Sequence, residues 1–345
     1  VSYPDISIGP NWPIPGRRVP HILGPGGTIC YYAAGSVVLD RYNPDGTVLQ
    51  CLDRAETVLR EALQGKLDRD FEAEFPVYWG GTWMLYDLPR KFAGTAKIQF
   101  ISLDGHSSKM PVLHGKKSWL LARHSGPPMS SPEPVTVLSV EDTLSINPRG
   151  TWPPNKLSEL LEWLSFVDPR LGPEIDKALV SSEGALTTIG LQAPNGLFVV
   201  RIEVPDRFRT TEFLKTRRKV LPKVMRKHAR EVKVERITAN AADIDYIYGR
   251  NLGSLSGLSG KRILLIGCGT IGSFLAQQLA QSGAGINGRF LVVDNDALKP
   301  ANLGRHLLGV PYLHRNKAEA CAEFLNSQLP GAKIEGSDCA SAPGR

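Results

Sequence analysis

The stretch Arg262-Ile263-Leu264-Leu265-Ile266-Gly267-Cys268-Gly269-Thr270-Ile271-Gly272-Ser273 decides the fold of the C-terminal part of the chain. Arg262–Ile266 has the composition of a buried parallel strand, and it runs into a Gly-x-Gly-x-x-Gly turn that opens a helix predicted over Ser273–Ser282. A second strand is predicted over Phe290–Val293 and ends at Asp294, which completes a βαβ unit. Gly267, Gly269 and Gly272 permit a tight turn, so that backbone N–H groups and the helix N-terminus can approach a phosphate. A carboxylate at Asp294 can bond ribose hydroxyls. Up to this residue a nicotinamide enzyme fits as well as an ATP-dependent one.

The continuation separates the two. Asp294-Asn295-Asp296-Ala297-Leu298-Lys299-Pro300-Ala301-Asn302-Leu303-Gly304-Arg305-His306 puts acids, amides and a guanidinium just after the ribose strand. A dehydrogenase has no standing need for that set. Adenylyl transfer from ATP does: the acids can serve ribose or Mg²⁺, while Asn302 and Arg305 can hold polyphosphate. Lys317, opening the next predicted helix, is either a further phosphate contact or a surface lysine.

The motifs GCGTIGS, LVVDNDALKPANLGRH and RNKAEA resemble the ThiF-type adenylation domain shared by ThiF, MoeB and ubiquitin-activating enzymes, over about residues 245–335. The resemblance implies a Rossmann-like domain in which Asp294 binds the ATP ribose and Asn302, Arg305 and Lys317 bind phosphates, with Asp296 beside them. It also places Arg250, in YGRN ahead of the first strand, where such homodimers lend an arginine to the neighbouring subunit's ATP; an ordinary linker arginine is the alternative. His306 departs from the family's usual Gln. The family's next strand and its metal-positioning aspartate have no counterpart before Arg345, nor does a crossover-loop cysteine; Cys268 and Cys339 are not expected to be catalytic.

Near the other end, His21-Ile22-Leu23-Gly24-Pro25-Gly26-Gly27-Thr28-Ile29-Cys30 places a thiol after a glycine turn at the end of an extended segment. Exposed, Cys30 could act as a transthiolation nucleophile; otherwise it is a small buried residue. An Asn43-Pro44 turn and an apolar-striped helix over Thr47–Leu63 follow. This order resembles the core of ubiquitin-conjugating enzymes, where an HPN segment precedes G-x-I-C-L and a W-S-P turn leads to a helix. The resemblance implies that Cys30 is the thioester cysteine and Cys51 a core residue. The HPN asparagine is missing, because Ile22 and Leu23 follow His21, and His21 itself reads as structural.

Composition sets the frame around these motifs. The 345 residues are 42% hydrophobic and 22% charged, the balance of a folded protein of two or three domains. No apolar run approaches the ~20 residues of a membrane helix, and no signal peptide opens the chain. Five cysteines without metal-ligand spacing fit a reducing, cytoplasmic compartment, and no metal site is expected. The formal charge of +7 is local: Asp206–Arg236 holds twelve Lys/Arg against four Asp/Glu. A solvated face explains that run better than nucleic acid does, since no aromatic residue is interleaved after Phe213 to stack on bases. Because Val1 is not a methionine and the last residues read like a domain in mid-course, the chain is expected to be an internal fragment.

The expected architecture is therefore α/β and α+β multidomain: a conjugating-like α+β domain over 1–80, an α+β linker region of unknown role over 81–240, and a ThiF-type domain over 241–345. Together the two resemblances imply an activating–conjugating fusion of the kind found in CBASS antiphage operons. Such a protein uses ATP and Mg²⁺ to adenylate the C-terminus of a ubiquitin-like or nucleotidyltransferase-type carrier, passes the acyl group to Cys30 as a thioester, and conjugates it to a target amine. A sulfur-carrier-activating adenylyltransferase is the alternative, and a dinucleotide-dependent oxidoreductase a more distant one.

Overall fold

The structure, a computed structural model, describes residues 3–9, 18–23, 27–32, 37–102, 109–123, 131–182, 184–210, 213, 216, 218–250 and 255–338. The Gly24-Pro25-Gly26 turn, His106, His124 and Cys339 lie outside them. The chain divides into two compact units: Val1–Leu85 with Arg90–Gln99 and Ser130–Asn240, and Tyr86–Pro89 with Phe100–Met129 and Ala241–Arg345.

In the first unit, short strands Ile22–Leu23 and Thr28–Ile29 pair antiparallel in the register Ile22↔Ile29. Helix Pro44–Leu63 packs beside them; Asn43 caps it by accepting from the Gly46 N–H at 3.0 Å, and Pro44 occupies the first turn, where no N–H is needed. The buried face of this helix is Cys51, Ala55, Val58 and Ala62, against Ile29 and Tyr31. The sequence stripe predicted Val48, Leu49, Leu52 and Leu63 inward as well, yet all four are exposed. Small residues at 51, 55 and 62 let the helix sit close, and that choice of face turns the larger ones outward.

The larger core of this unit is aromatic. Short helices Asp70–Ala73 and Phe75–Trp79 bury Phe71, Phe75 and Trp79. Phe75 lies parallel to Trp163 at 5.7 Å between ring centres and meets Phe198 edge-on at 4.7 Å. Trp163 comes from helix Leu157–Val167, whose buried stripe adds Leu157, Leu160 and Leu164. Phe198 comes from a sheet in which Gly94–Ile98 pairs with Glu133–Val137, Val135–Ser139 runs parallel to Thr188–Gln192, and strands Leu186–Ala193, Gly196–Glu203 and Val234–Ala241 continue antiparallel. Three of the run's basic side chains are ion-paired: Arg207 with Glu231, Arg209 with Asp206 and Arg226 with Asp176.

The second unit holds the βαβ element. Strands Arg262–Ile266, Arg289–Val293 and Ile334–Ser337 are parallel in that order, with helices Thr270–Gln281 and Lys317–Gln328 between them. The first strand differs from its predicted burial: Leu264 is 59% and Ile266 74% exposed. Among the described residues it pairs on one side only, so it is a sheet edge; Ile263 and Leu265 pack on the core, while the alternate residues Leu264 and Ile266 face away from it. No helix among the described residues is long and apolar enough to cross a membrane.

Phe75→Ala is expected to destabilise the chain by about 3–5 kcal/mol, since it empties the centre of an aromatic cluster. Phe166→Ala, on the exposed side of a neighbouring helix, is expected to stay within about 0.5 kcal/mol. Urea denaturation of both variants checks the contrast.

Candidate functional site

The glycine turn is shaped by two separate needs. Gly267 has φ +91°, a left-handed conformation that penalises any side chain. At Gly272 a Cβ would stand 1.9 Å from the Gly267 carbonyl oxygen, so only glycine lets the helix close onto the turn. Gly269 is different: it has an ordinary φ of −79° and nothing within 4 Å of a Cβ position. That space lies at the start of helix Thr270–Gln281, whose first N–H groups have no intrahelical acceptor. The turn therefore leaves room and donors for a phosphate-bearing ligand.

Asp294 knits the strand ends to this turn. One carboxylate oxygen accepts from the Cys268 N–H at 2.6 Å and the other from the Asp296 N–H at 2.8 Å. Asp296 in turn accepts from the Lys317 ammonium at 2.9 Å, and the Lys317 N–H donates to the Asp296 carbonyl at 2.9 Å. Lys317 is buried while Asp296 is exposed, and the ion pair holds the Asp296 carboxyl below the usual range. The Asn302 side-chain oxygen accepts from the Lys299 N–H at 2.9 Å, which closes the turn Pro300–Asn302. Arg305 is exposed and forms no ion pair with a described residue. Arg250, after helix Ile244–Gly249, is also exposed and lies over the Tyr246 ring at 5.8 Å. The structure thus joins Asp294, Asp296 and Lys317 through one hydrogen-bonded network that reaches the glycine turn at Cys268, and the Arg250 and Arg305 guanidiniums form no ion pair among the described residues.

Sequence reasoning missed three members of that network. His306 is buried; its Nδ1 accepts from the Leu308 N–H at 3.1 Å, so its Nε2–H donates to the Cys268 carbonyl at 2.7 Å. The Asn316 amide donates to the Asp294 carbonyl at 2.7 Å while its oxygen caps helix Lys317–Gln328. Ser273 is buried and accepts from the Leu307 N–H at 3.3 Å. Cys268 is wholly buried beside Cys321, and both the pairing and the burial push its thiol up.

A second constellation stands in the first unit. The hairpin register continues to His21 and Cys30, where the Cys30 N–H donates to the His21 carbonyl at 2.8 Å. Cys30 is half-buried; burial and the nearby Glu74 charge raise its thiol above the usual range. The His21 Nε2 lies 2.8 Å from Asp70 Oδ2, and Nδ1 lies 2.8 Å from Glu74 Oε1, off the line of a hydrogen bond. Glu74 first, and Asp70 with it, raises the His21 pKa against the opposing effect of burial. Burial alone would raise Glu74 too, but His21 and the Tyr78 hydroxyl, 3.1 Å away, bring it below the usual range. A ring nitrogen of His21, the Cys30 sulfur and a Glu74 oxygen all lie within 4.8 Å of one another. Asp70, Glu74 and Tyr78 went unread in the sequence; their spacing of four is the one signal that could have marked them.

The fold and these two constellations define a Rossmann-like unit carried on one chain with a short hairpin that ends at a thiol. Comparison with known proteins agrees: residues 215–340 match the ThiF family and residues 13–83 the Prokaryotic E2 family B. A stretch similar to conjugating enzymes thus precedes one similar to ThiF proteins on the same chain. It is similar to "ATP-dependent ubiquitin transferase-like protein Cap2" of Pseudomonas aeruginosa (strain BWHPSA011 / Pa011), 33% identical over 95% of this chain and 59% of the relative. The protein of the same description from Escherichia coli (strain TW11681) is 27% identical over 91% of this chain and 58% of its own length. The chain thus spans a little under three-fifths of the curated relatives it matches. The solved structure of E. coli MccB with ATP is 28% identical over 24% of each chain, with a TM-score of 0.19.

Gly272→Ala is expected to lower the melting temperature, at an overpacking cost of about 1–3 kcal/mol. Gly269→Ala should leave melting unchanged, because its Cβ meets nothing. Thermal denaturation of both distinguishes a glycine kept for the fold from one kept open for a ligand.

Proposed function

We propose that the chain belongs to an enzyme that activates a carrier protein's C-terminus with ATP and conjugates it through Cys30. The observation that carries the reading is the joint presence of the Asp294-centred turn and the Cys30 hairpin on one chain. ATP fits the turn physically: Gly269 leaves space beside the helix N-terminus, and Arg305 has no carboxylate partner among the described residues to compete with phosphate. When bound, ATP supplies an activated phosphorus and a pyrophosphate leaving group. The chain's own part is to orient the ribose at Asp294 and the phosphates at the helix N-terminus, with Asn302, Arg305 and Lys317 around them. Mg²⁺ would accompany the nucleotide.

On this reading Arg250, exposed and without an ion pair among the described residues, reaches the ATP of a partner copy in a homodimer. The carrier is a ubiquitin-like or nucleotidyltransferase-type protein and the acceptor a target amine, in a cytoplasmic antiphage system. Support comes from the similarity to the two relatives named for ubiquitin transferase-like activity. We keep the division into 1–80, 81–240 and 241–345 as the functional one.

Titration calorimetry is expected to show Mg·ATP binding and no NAD binding. Arg305→Ala should weaken ATP binding by about 1.5–3 kcal/mol through loss of charged hydrogen bonds. NAD binding without a response to Mg·ATP would contradict the proposal.

The full-length protein with carrier and Mg·ATP is expected to form an adduct that dithiothreitol cleaves. Cys30→Ser should abolish it or replace it with a more stable ester, whereas Cys51→Ser should leave it intact, since Cys51 is buried. Mass spectrometry placing the carrier on another cysteine would defeat the assignment of Cys30.

A further inference from the structure

The segment after the long helix is built with two faces. Phe71, Phe75 and Trp79 point into the aromatic core, and Asp70, Glu74 and Tyr78, each one residue earlier, line the adjoining side, with the Tyr78 ring against the core and its hydroxyl on Glu74. The buried rings therefore fix where the two carboxylates stand, and the hairpin register fixes His21 beside Cys30. Neither arrangement depends on the other, yet they meet around one imidazole.

We propose that His21 is the proton-transfer residue for discharge of the Cys30 thioester, oriented by Asp70 and backed by Glu74. The inference rests on the reading of Cys30 as the transfer thiol. Nε2–H donates to Asp70, which turns the ring and leaves Nδ1, 2.8 Å from Glu74 Oε1 but off the line of a hydrogen bond, as the atom that takes up the second proton. This is the logic of a nucleophile, a base and a carboxylate that orients the base. Glu74 beside Nδ1 stabilises the imidazolium once it forms.

The step balances as follows. The amine nitrogen attacks the thioester carbonyl carbon, and the new C–N bond forms as the amine proton passes to His21 Nδ1. The C–S bond then breaks with its electron pair on sulfur, and His21 returns the proton to give the neutral Cys30 thiol. That return matters because burial and Glu74 make a bare Cys30 thiolate costly at this place. A proton donor at the leaving sulfur offsets the penalty, and no HPN asparagine is present to help in another way.

The titratable groups facing His21 are Asp70 and Glu74, with Cys30 on the hairpin and Tyr78 behind Glu74. The two carboxylates raise its pKa, so the free base that accepts the amine proton appears only above the ordinary histidine value of about 6.5. Discharge should therefore rise with pH through a midpoint above that value.

The test loads Cys30 chemically, by exchange with a Gly-Gly benzyl thioester, in this chain carrying Cys339→Ser. Mass spectrometry then follows acyl loss to methoxyamine, a weak base already neutral at the lower end of the range, between about pH 6 and 9. His21→Gln is expected to slow discharge by about 100-fold or more and to remove the pH-dependent limb. Asp70→Asn should lower the midpoint and slow discharge less. Discharge of His21→Gln at the wild-type rate and pH profile would overturn the proposal. If circular dichroism shows His21→Gln unfolded, an unmoved midpoint in Asp70→Asn overturns it instead. Failure of wild-type Cys30 to accept the acyl group while its thiol still alkylates would overturn the transfer-thiol reading and this inference with it.

Discussion

The carboxylate of Asp294 is the point on which the nucleotide unit turns. Accepting the Cys268 N–H ties the end of the second strand to the glycine turn after the first. Accepting the Asp296 N–H folds its own loop back, which sets Asp296 where the buried Lys317 ammonium can reach it. Asn316 holds the Asp294 carbonyl from the far side and caps the next helix with the same side chain. A charged acceptor that satisfies two backbone donors gains more than neutral hydrogen bonds would, and losing it would leave both donors unmade. The strand ends, the turn and the Lys317 helix are thus held as one piece. His306 locks the opposite side of the turn through the Cys268 carbonyl.

The thiol hairpin is held by a different principle. Its two short strands make too few ladder bonds to fix a reactive geometry alone. Rigidity comes from the segment Asp70–Trp79, whose rings are anchored among Trp152, Trp163 and Phe198. Carboxylates on such a segment cannot relax away from the imidazole without withdrawing an aromatic from the core. This is how a half-buried site can keep an imidazole between two acids, and why its proton affinities sit away from ordinary values.

Legibility in the sequence followed the range of the interactions. The strand–turn–helix–strand unit is a local pattern and forms as read, but helices Pro44–Leu63 and Thr270–Gln281 each begin three residues before the predicted Thr47 and Ser273, because their first turns carry the Pro and Gly residues that read as loop. The clamp at His306 could be seen only as a departure from the family's Gln, because its role is to reach a carbonyl 38 residues earlier. Asp70 and Glu74 lie 49 and 53 residues from His21, and their facing depends on which side of a short aromatic segment is buried. The strand Arg262–Ile266 misled by composition: an apolar run predicts burial on both faces, but only Ile263 and Leu265 pack on the core, and the alternate Leu264 and Ile266 are exposed.

Adenylation is the claim that joins the glycine turn to the thiol, and isotope exchange tests it most directly. The full-length protein, given Mg·ATP, its carrier and labelled pyrophosphate, is expected to move label into ATP, because only reversible formation of an acyl adenylate returns pyrophosphate to the nucleotide. Absence of exchange while ATP and carrier both bind would contradict the account, and would leave the Asp294-centred turn as a nucleotide-binding fold without that chemistry.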